Sequence, residues 1–157
     1  LGTIGHRVAE IAACFGALVQ YYSTSNIKRQ EPYPCVDFDT LLSTSDIVSL
    51  HCPLNDTTQG LIDADALKKM KNDAILLNLS RGPVVDEAAL ADALEQHSIG
   101  GAGLDVLTAE PMRADNPLLR IKDSDRLIIT PHIGWAGVET RIRLMDRIYG
   151  QIEAFLQ

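Results

Sequence analysis

Three side chains able to do anion and acid–base chemistry each follow an apolar run: Arg81 after residues 75–79, Glu110 after 102–106, and His132 after 127–129. Asp105 stands inside the second run. A guanidinium grips a carboxylate through two parallel N–H bonds, and an imidazole held by a carboxylate gives or takes a proton at a neighbouring oxygen. Glu110 beside His132 would favour the imidazolium and keep a proton ready for a developing alkoxide. Each residue also has a plainer reading: Arg81 as a surface cation, Glu110 as a loop charge, His132 as a helix-entry residue. Their joint placement after successive apolar runs favours the chemical one, and the set suits a 2-oxo or 2-hydroxy acid.

For such distant residues to converge, the runs must be strands of one sheet. Apolar, β-rich runs at 18–22, 47–50, 75–79, 102–106 and 127–129 recur about one strand-plus-helix unit apart. Helical stretches are expected between them at 4–15 (closed by Gly16), near 38–42, at 63–70 and at 86–97, with a long terminal helix at 137–156. Asp63 and Asp86 have the position of N-caps. Residues 74–79 are apolar almost throughout, which suits a sheet buried on both faces. The expected architecture is a doubly wound parallel α/β sheet, whose carboxyl edge is where ligands bind.

At the amino end, Gly2-Thr3-Ile4-Gly5 opens a helix, and the next apolar run closes about 18 residues later, as in a dinucleotide fingerprint whose first glycine would lie just before Leu1. Gly2 would let backbone approach a pyrophosphate, Gly5 would let helix and strand pack closely, and the helix-terminal amides would hold the anion. A tight turn is the other reading of two such glycines; the strand-and-helix context favours the functional one.

Composition narrows the partners. The 157 residues are 46% hydrophobic and 22% charged, one ordinary domain. Fourteen basic against twenty-one acidic residues give a net charge of −7, which repels phosphate backbones and anionic lipid. No apolar run approaches the length of a membrane span, and no leader pattern is present. The three cysteines, Cys14, Cys35 and Cys52, form no paired motif, so neither a disulfide framework nor a zinc site is indicated. A cytoplasmic protein without nucleic-acid or membrane partners is expected.

The quoted segments, together with His51-Cys52-Pro53-Leu54 and Thr58, Leu79-Ser80-Arg81-Gly82, Gly103-Leu104-Asp105-Val106 with Glu110-Pro111, and Pro131-His132-Ile133-Gly134, resemble the D-isomer-specific 2-hydroxyacid dehydrogenases along essentially the whole chain. The resemblance implies a Rossmann-like cofactor domain over residues 1–157, with catalytic Arg81, Glu110 and His132. It implies NAD as cofactor, with NADP possible, bound by Gly2, Thr3, Ile4, Gly5, Ser23, Cys52, Pro53, Thr58, Leu79, Ser80, Arg81, Asp105, His132 and Gly134. Asp105 would approach the nicotinamide carboxamide; Cys52, Pro53 and Thr58 would line the adenosine and phosphate part of the cleft. Cys52 is read as a packed small residue rather than a redox thiol.

The family often carries an aspartate at the end of the second strand, where this chain has Ser23. Lys28 and Arg29 close behind either tolerate a 2′-phosphate or form a solvated loop. Trp135 after the His132 turn is similar to the glycerate dehydrogenase and hydroxypyruvate reductase branch, or is core packing. The resemblance also implies that the first strand and both substrate-domain segments lie outside these residues, so the chain alone should be inactive and poorly soluble. The full protein is expected to be a homodimer acting on a small 2-oxo or 2-hydroxy acid. A cofactor-sensing, corepressor-like module of the same fold is the alternative.

Overall fold

The computed structural model describes residues 1–25, 31–123 and 125–156. Four short strands, β1 (Ile47–Leu50), β2 (Ile75–Asn78), β3 (Gly101–Leu104) and β4 (Leu127–Ile129), run parallel in the order β1-β2-β3-β4. Ile75 pairs with Ile47 on one side and with Gly101 on the other. Because every strand is parallel to its neighbour, all four carboxyl ends reach the same edge, and the residues that follow them share it.

Helices α1 (Thr3–Cys14), α2 (Phe38–Thr44), α3 (Ala64–Lys69), α4 (Glu87–Glu95) and α5 (Val138–Leu156) accompany the strands, with 3-10 turns at Gly82–Val84 and Pro117–Arg120. Their starts are set locally. Asp37, Asp63 and Asp86 each accept amide hydrogen bonds from the first turn of α2, α3 and α4, a cap that contributes about 1 kcal/mol in each case. Gly16, at φ 86, stops α1 where a side chain would be strained.

Alternate strand residues Val48, Leu50, Leu76, Ala102 and Leu104 point into one core with Leu42, Leu67, Leu90 and Leu94 from α2, α3 and α4. Those three helices and the Pro117–Arg120 turn pack side by side over that face. On the other face Ile47 and Ile128 stay largely exposed, and α5 buries none of its residues. The expected burial on both faces is therefore met on one face within these residues, because α1 and α5 lie outside this principal packing.

The expected strand at 18–22 is a second difference. Only Tyr21 makes a bridge, to Cys35, and Leu18 is fully exposed. A strand persists only where a neighbour completes its ladder, and among the described residues its ladder partner is the single short stretch around Cys35. No described helix is long and apolar enough to cross a membrane.

Candidate active site

Asp105 and Thr130 follow adjacent strands, and the Thr130 amide donates to the Leu104 carbonyl at 2.9 Å. The buried Asp105 carboxylate collects three donors: the Thr130 hydroxyl and the Ile133 amide (2.9 Å) on Oδ1, and the Gly134 amide (2.7 Å) on Oδ2. These bonds draw the chain back after Pro131, and His132 takes a left-handed backbone at φ 52. That conformation costs a non-glycine residue about 1–2 kcal/mol, which the two charge-assisted amide bonds offset. Burial acts to raise the Asp105 carboxyl, but the Thr130 hydroxyl, the two amides and the His132 charge outweigh it and hold it below the usual aspartate range. Asp105 thus shapes the His132 turn, whatever else it touches.

The turn delivers His132 Nδ1 to 2.7 Å from Glu110 Oε2, while Glu110 Oε1 accepts the Leu107 amide at 2.9 Å. Nε2 of His132 has no partner among the described residues, and both side chains are a little over one-third exposed, at 38% and 39%. The His132 contact, followed by the Leu107 amide, holds the Glu110 carboxyl below the ordinary glutamate range. The pair is therefore intact above that range and is lost as pH falls through the depressed value. In carbon-13 titration of labelled glutamates, we expect Glu110 to titrate low and to move back up in His132→Ala. A Glu110 titration indifferent to that substitution would remove the pairing.

At the end of β2, Asn78 is 1% exposed and both polar atoms of its side chain are hydrogen-bonded. Its Oδ1 accepts the Ser80 amide (3.0 Å) and hydroxyl (2.9 Å), and its Nδ2 donates to the Arg81 carbonyl (3.0 Å). This organises the turn on which Leu79 is half-exposed, Ser80 buried and Arg81 exposed. The Arg81 guanidinium donates to the Ser80 carbonyl at 2.7 Å and has no ion pair among the described residues. So the structure joins Glu110 to His132 but does not bring Arg81 into contact with either; it leaves an unneutralised guanidinium on the same edge. Gly82 presses on the neighbouring loop so closely that a Cβ would lie 2.0 Å from the Leu107 carbonyl carbon.

At the other end of the edge, Gly2 occupies the N-cap of α1 without a side-chain cap and faces open space. The first-turn amides at Thr3, Ile4 and Gly5 thus lack a capping side chain, and an anion fits there. A Cβ on Gly5 would meet the His51 side chain at 3.5 Å, an ordinary contact. Among the described residues Gly5 is buried against the His51 and Leu1 side chains. Ser23 is half-buried, with its hydroxyl 3.3 Å from that of Ser25; Lys28 and Arg29 lie outside the described residues. Burial pushes the Cys52 thiol up, which suits packing better than redox chemistry. Pro53 and Gly134 are exposed.

Thr58 needs correction. It was expected to line the cleft but is fully buried. Its hydroxyl donates to the Pro53 carbonyl at 2.6 Å and accepts the Asn55 amide at 2.9 Å, so it holds the loop that presents Pro53. Asn78 and Thr130 carried no assigned role in the sequence reading. A polar residue closing an apolar run was the available signal for both; what the sequence hid was the partner of Thr130, 25 positions away.

Comparison with known proteins adds what geometry does not. The sequence model described as "D-isomer specific 2-hydroxyacid dehydrogenase, NAD binding domain" matches residues 1–134. The chain belongs to the D-isomer-specific 2-hydroxyacid dehydrogenase family. A hydroxypyruvate reductase of Blautia hydrogenotrophica is 44% identical over 158 residues, which is 99% of this chain and 48% of that protein. Among solved structures, an acyclic imino acid reductase in complex with NADPH and D-Arg superposes with TM-score 0.89 at 37% identity, over 99% of this chain and 48% of the other. A D-lactate dehydrogenase from Aquifex aeolicus complexed with NAD and lactic acid gives TM-score 0.87 at 32% identity, over 99% and 51%. The chain thus has the Rossmann-like NAD-binding fold and spans about half the length of the curated relatives it matches.

Proposed function

We propose that residues 1–157 form the cofactor domain of a dehydrogenase that reduces a small 2-oxo acid, such as hydroxypyruvate or glyoxylate, with Arg81, Glu110 and His132 as its catalytic residues. The observation that carries this reading is the 2.7 Å contact between His132 Nδ1 and Glu110, with no partner on Nε2 among the described residues at the carboxyl edge of the sheet. Glu110 fixes the ring through its Nδ1. His132 Nε2 passes its proton to the substrate's carbonyl oxygen, and Arg81 takes the substrate carboxylate, in keeping with its lack of an ion-pair partner among the described residues. When bound, a reduced nicotinamide supplies the hydride that the carbonyl carbon accepts. The uncapped start of α1 with open Gly2 supports a pyrophosphate site at Gly2, Thr3, Ile4 and Gly5, and Ser23, Cys52, Pro53, Leu79, Ser80, Asp105 and Gly134 continue the proposed cleft, with Thr58 behind it. A cytoplasmic homodimer is the setting we assign to the full protein, in keeping with its acidic surface and the uncovered apolar residues of α1 and α5.

The test is turnover by the full-length protein. Hydroxypyruvate or glyoxylate should drive loss of NADH absorbance, whereas tight NADH binding with no turnover on any 2-oxo acid would favour the cofactor-sensing module instead. At the ribose end, no acid at position 23 repels a 2′-phosphate, so NADPH should also be used. We expect Ser23→Asp to move the NADH-to-NADPH ratio of kcat/KM by about tenfold, roughly 1.4 kcal/mol. An unchanged ratio would place ribose recognition elsewhere.

A further inference from the structure

We propose that Glu87 is a positioning residue for the Glu110 carboxylate, and that it acts by clasping both ends of the loop that carries it; this rests on the reading of His132 and Glu110 given above. Glu87 opens α4, but the cap of that helix is already supplied by Asp86, which accepts the Ala88 and Ala89 amides. The Glu87 carboxylate is turned to another use. Its Oε1 accepts the Thr108 amide at 2.6 Å and its Oε2 accepts the Asn116 side-chain amide at 2.8 Å. These two donors stand on opposite sides of Glu110 in the sequence, so one rigidly based carboxylate spans the loop.

Both ends of the clasp are anchored. Asn116 Oδ1 accepts the Leu118 amide at 2.9 Å, and Leu118 is buried in the core. At the other end, the Leu107–Thr108 backbone rests against Gly82, and the Leu107 amide donates to Glu110 itself. Between the anchors Met112 packs against the core and the Asn116 amide donates to the Arg113 carbonyl at 3.1 Å, while the Arg113 side chain makes only an exposed ion pair with Asp115, at 3.4 Å, among the described residues; of these contacts only Glu87 ties the Thr108 and Asn116 ends to one acceptor. Without Glu87, Thr108 and Asn116 would lose their shared acceptor, and the Glu110 oxygen would no longer be held at hydrogen-bond distance from His132.

The test uses the full-length enzyme and two independent readouts. Glu87→Ala should lower kcat about tenfold, leave the KM for NADH within about twofold, and shift the limb of the pH profile that reports the Glu110 and His132 pair. Glu87→Gln keeps one acceptor and should fall between. In the Glu110→Gln background, Glu87→Ala should cost nothing further, as expected for residues that act as a unit. Carbon-13 titration of Glu110 should move up toward the ordinary glutamate range in the Glu87 variants, and Glu87→Gln carries this measurement if the alanine variant does not fold. Losses that multiply in the double variant, or a Glu110 titration unmoved in a folded Glu87 variant, would overturn the proposal. If Glu110→Gln alone leaves turnover intact, the catalytic reading fails, while the titration still decides whether Glu87 positions the carboxylate.

Discussion

His132→Ala in the full-length enzyme should lower kcat for 2-oxo acid reduction by about a thousandfold, roughly 4 kcal/mol of transition-state stabilisation. NADH affinity, read by fluorescence titration, should stay within about threefold. The asymmetry follows from the geometry. The ring is held at Nδ1 by Glu110 and has no partner at Nε2 among the described residues, so truncation removes the proposed proton donor while the start of α1, at the other end of the edge, keeps its amides. Arg81→Ala should behave differently and chiefly raise KM for the 2-oxo acid, because a guanidinium that grips the carboxylate contributes binding in ground and transition states alike. Equal loss of NADH affinity in both variants would point to a general folding defect and sink the assignment of separate roles.

Gly82→Ala should be the most damaging small substitution in the chain. An added Cβ would lie 2.0 Å from the Leu107 carbonyl carbon and 2.3 Å from the Thr108 nitrogen, both backbone atoms that no rotamer change can move. Either the Arg81 turn and the Glu110 loop separate by about 1 Å, which at a catalytic constellation costs on the order of a hundredfold in kcat, or the fold absorbs the clash at about 1–3 kcal/mol. Melting temperature and kcat measured on the same sample distinguish the two routes. A variant with wild-type values of both would mean that the two loops do not press on each other as described.

Much of the framework was legible because its causes are local. The strands at 47–50 and 127–129 have the bounds their apolar runs implied, and Asp63 and Asp86 cap the helices that follow them. A cap bonds to amides two or three residues away and a strand is written in its own side chains, so neither needs distant information. Once the strands are parallel, the ends carrying Arg81, Asp105 and His132 must share an edge, and that much of the site was also readable.

What tertiary structure decided concerns partners that sequence distance hides. Glu110 meets His132 across 22 positions because Asp105 bends the chain after β4. Thr58, which the resemblance placed in the lining of the cleft, is buried as the tie of its own turn. Residues 18–22 read as a strand but gain only one bridge, since pairing is a property of the neighbour as much as of the segment. Glu87 is a first-turn acid of α4, yet its two oxygens hold the ends of a loop 21 and 29 residues on. A carboxylate's preference for a helix start is local physics, whereas the choice of which distant amides it binds is made only when the sheet brings that loop beside it.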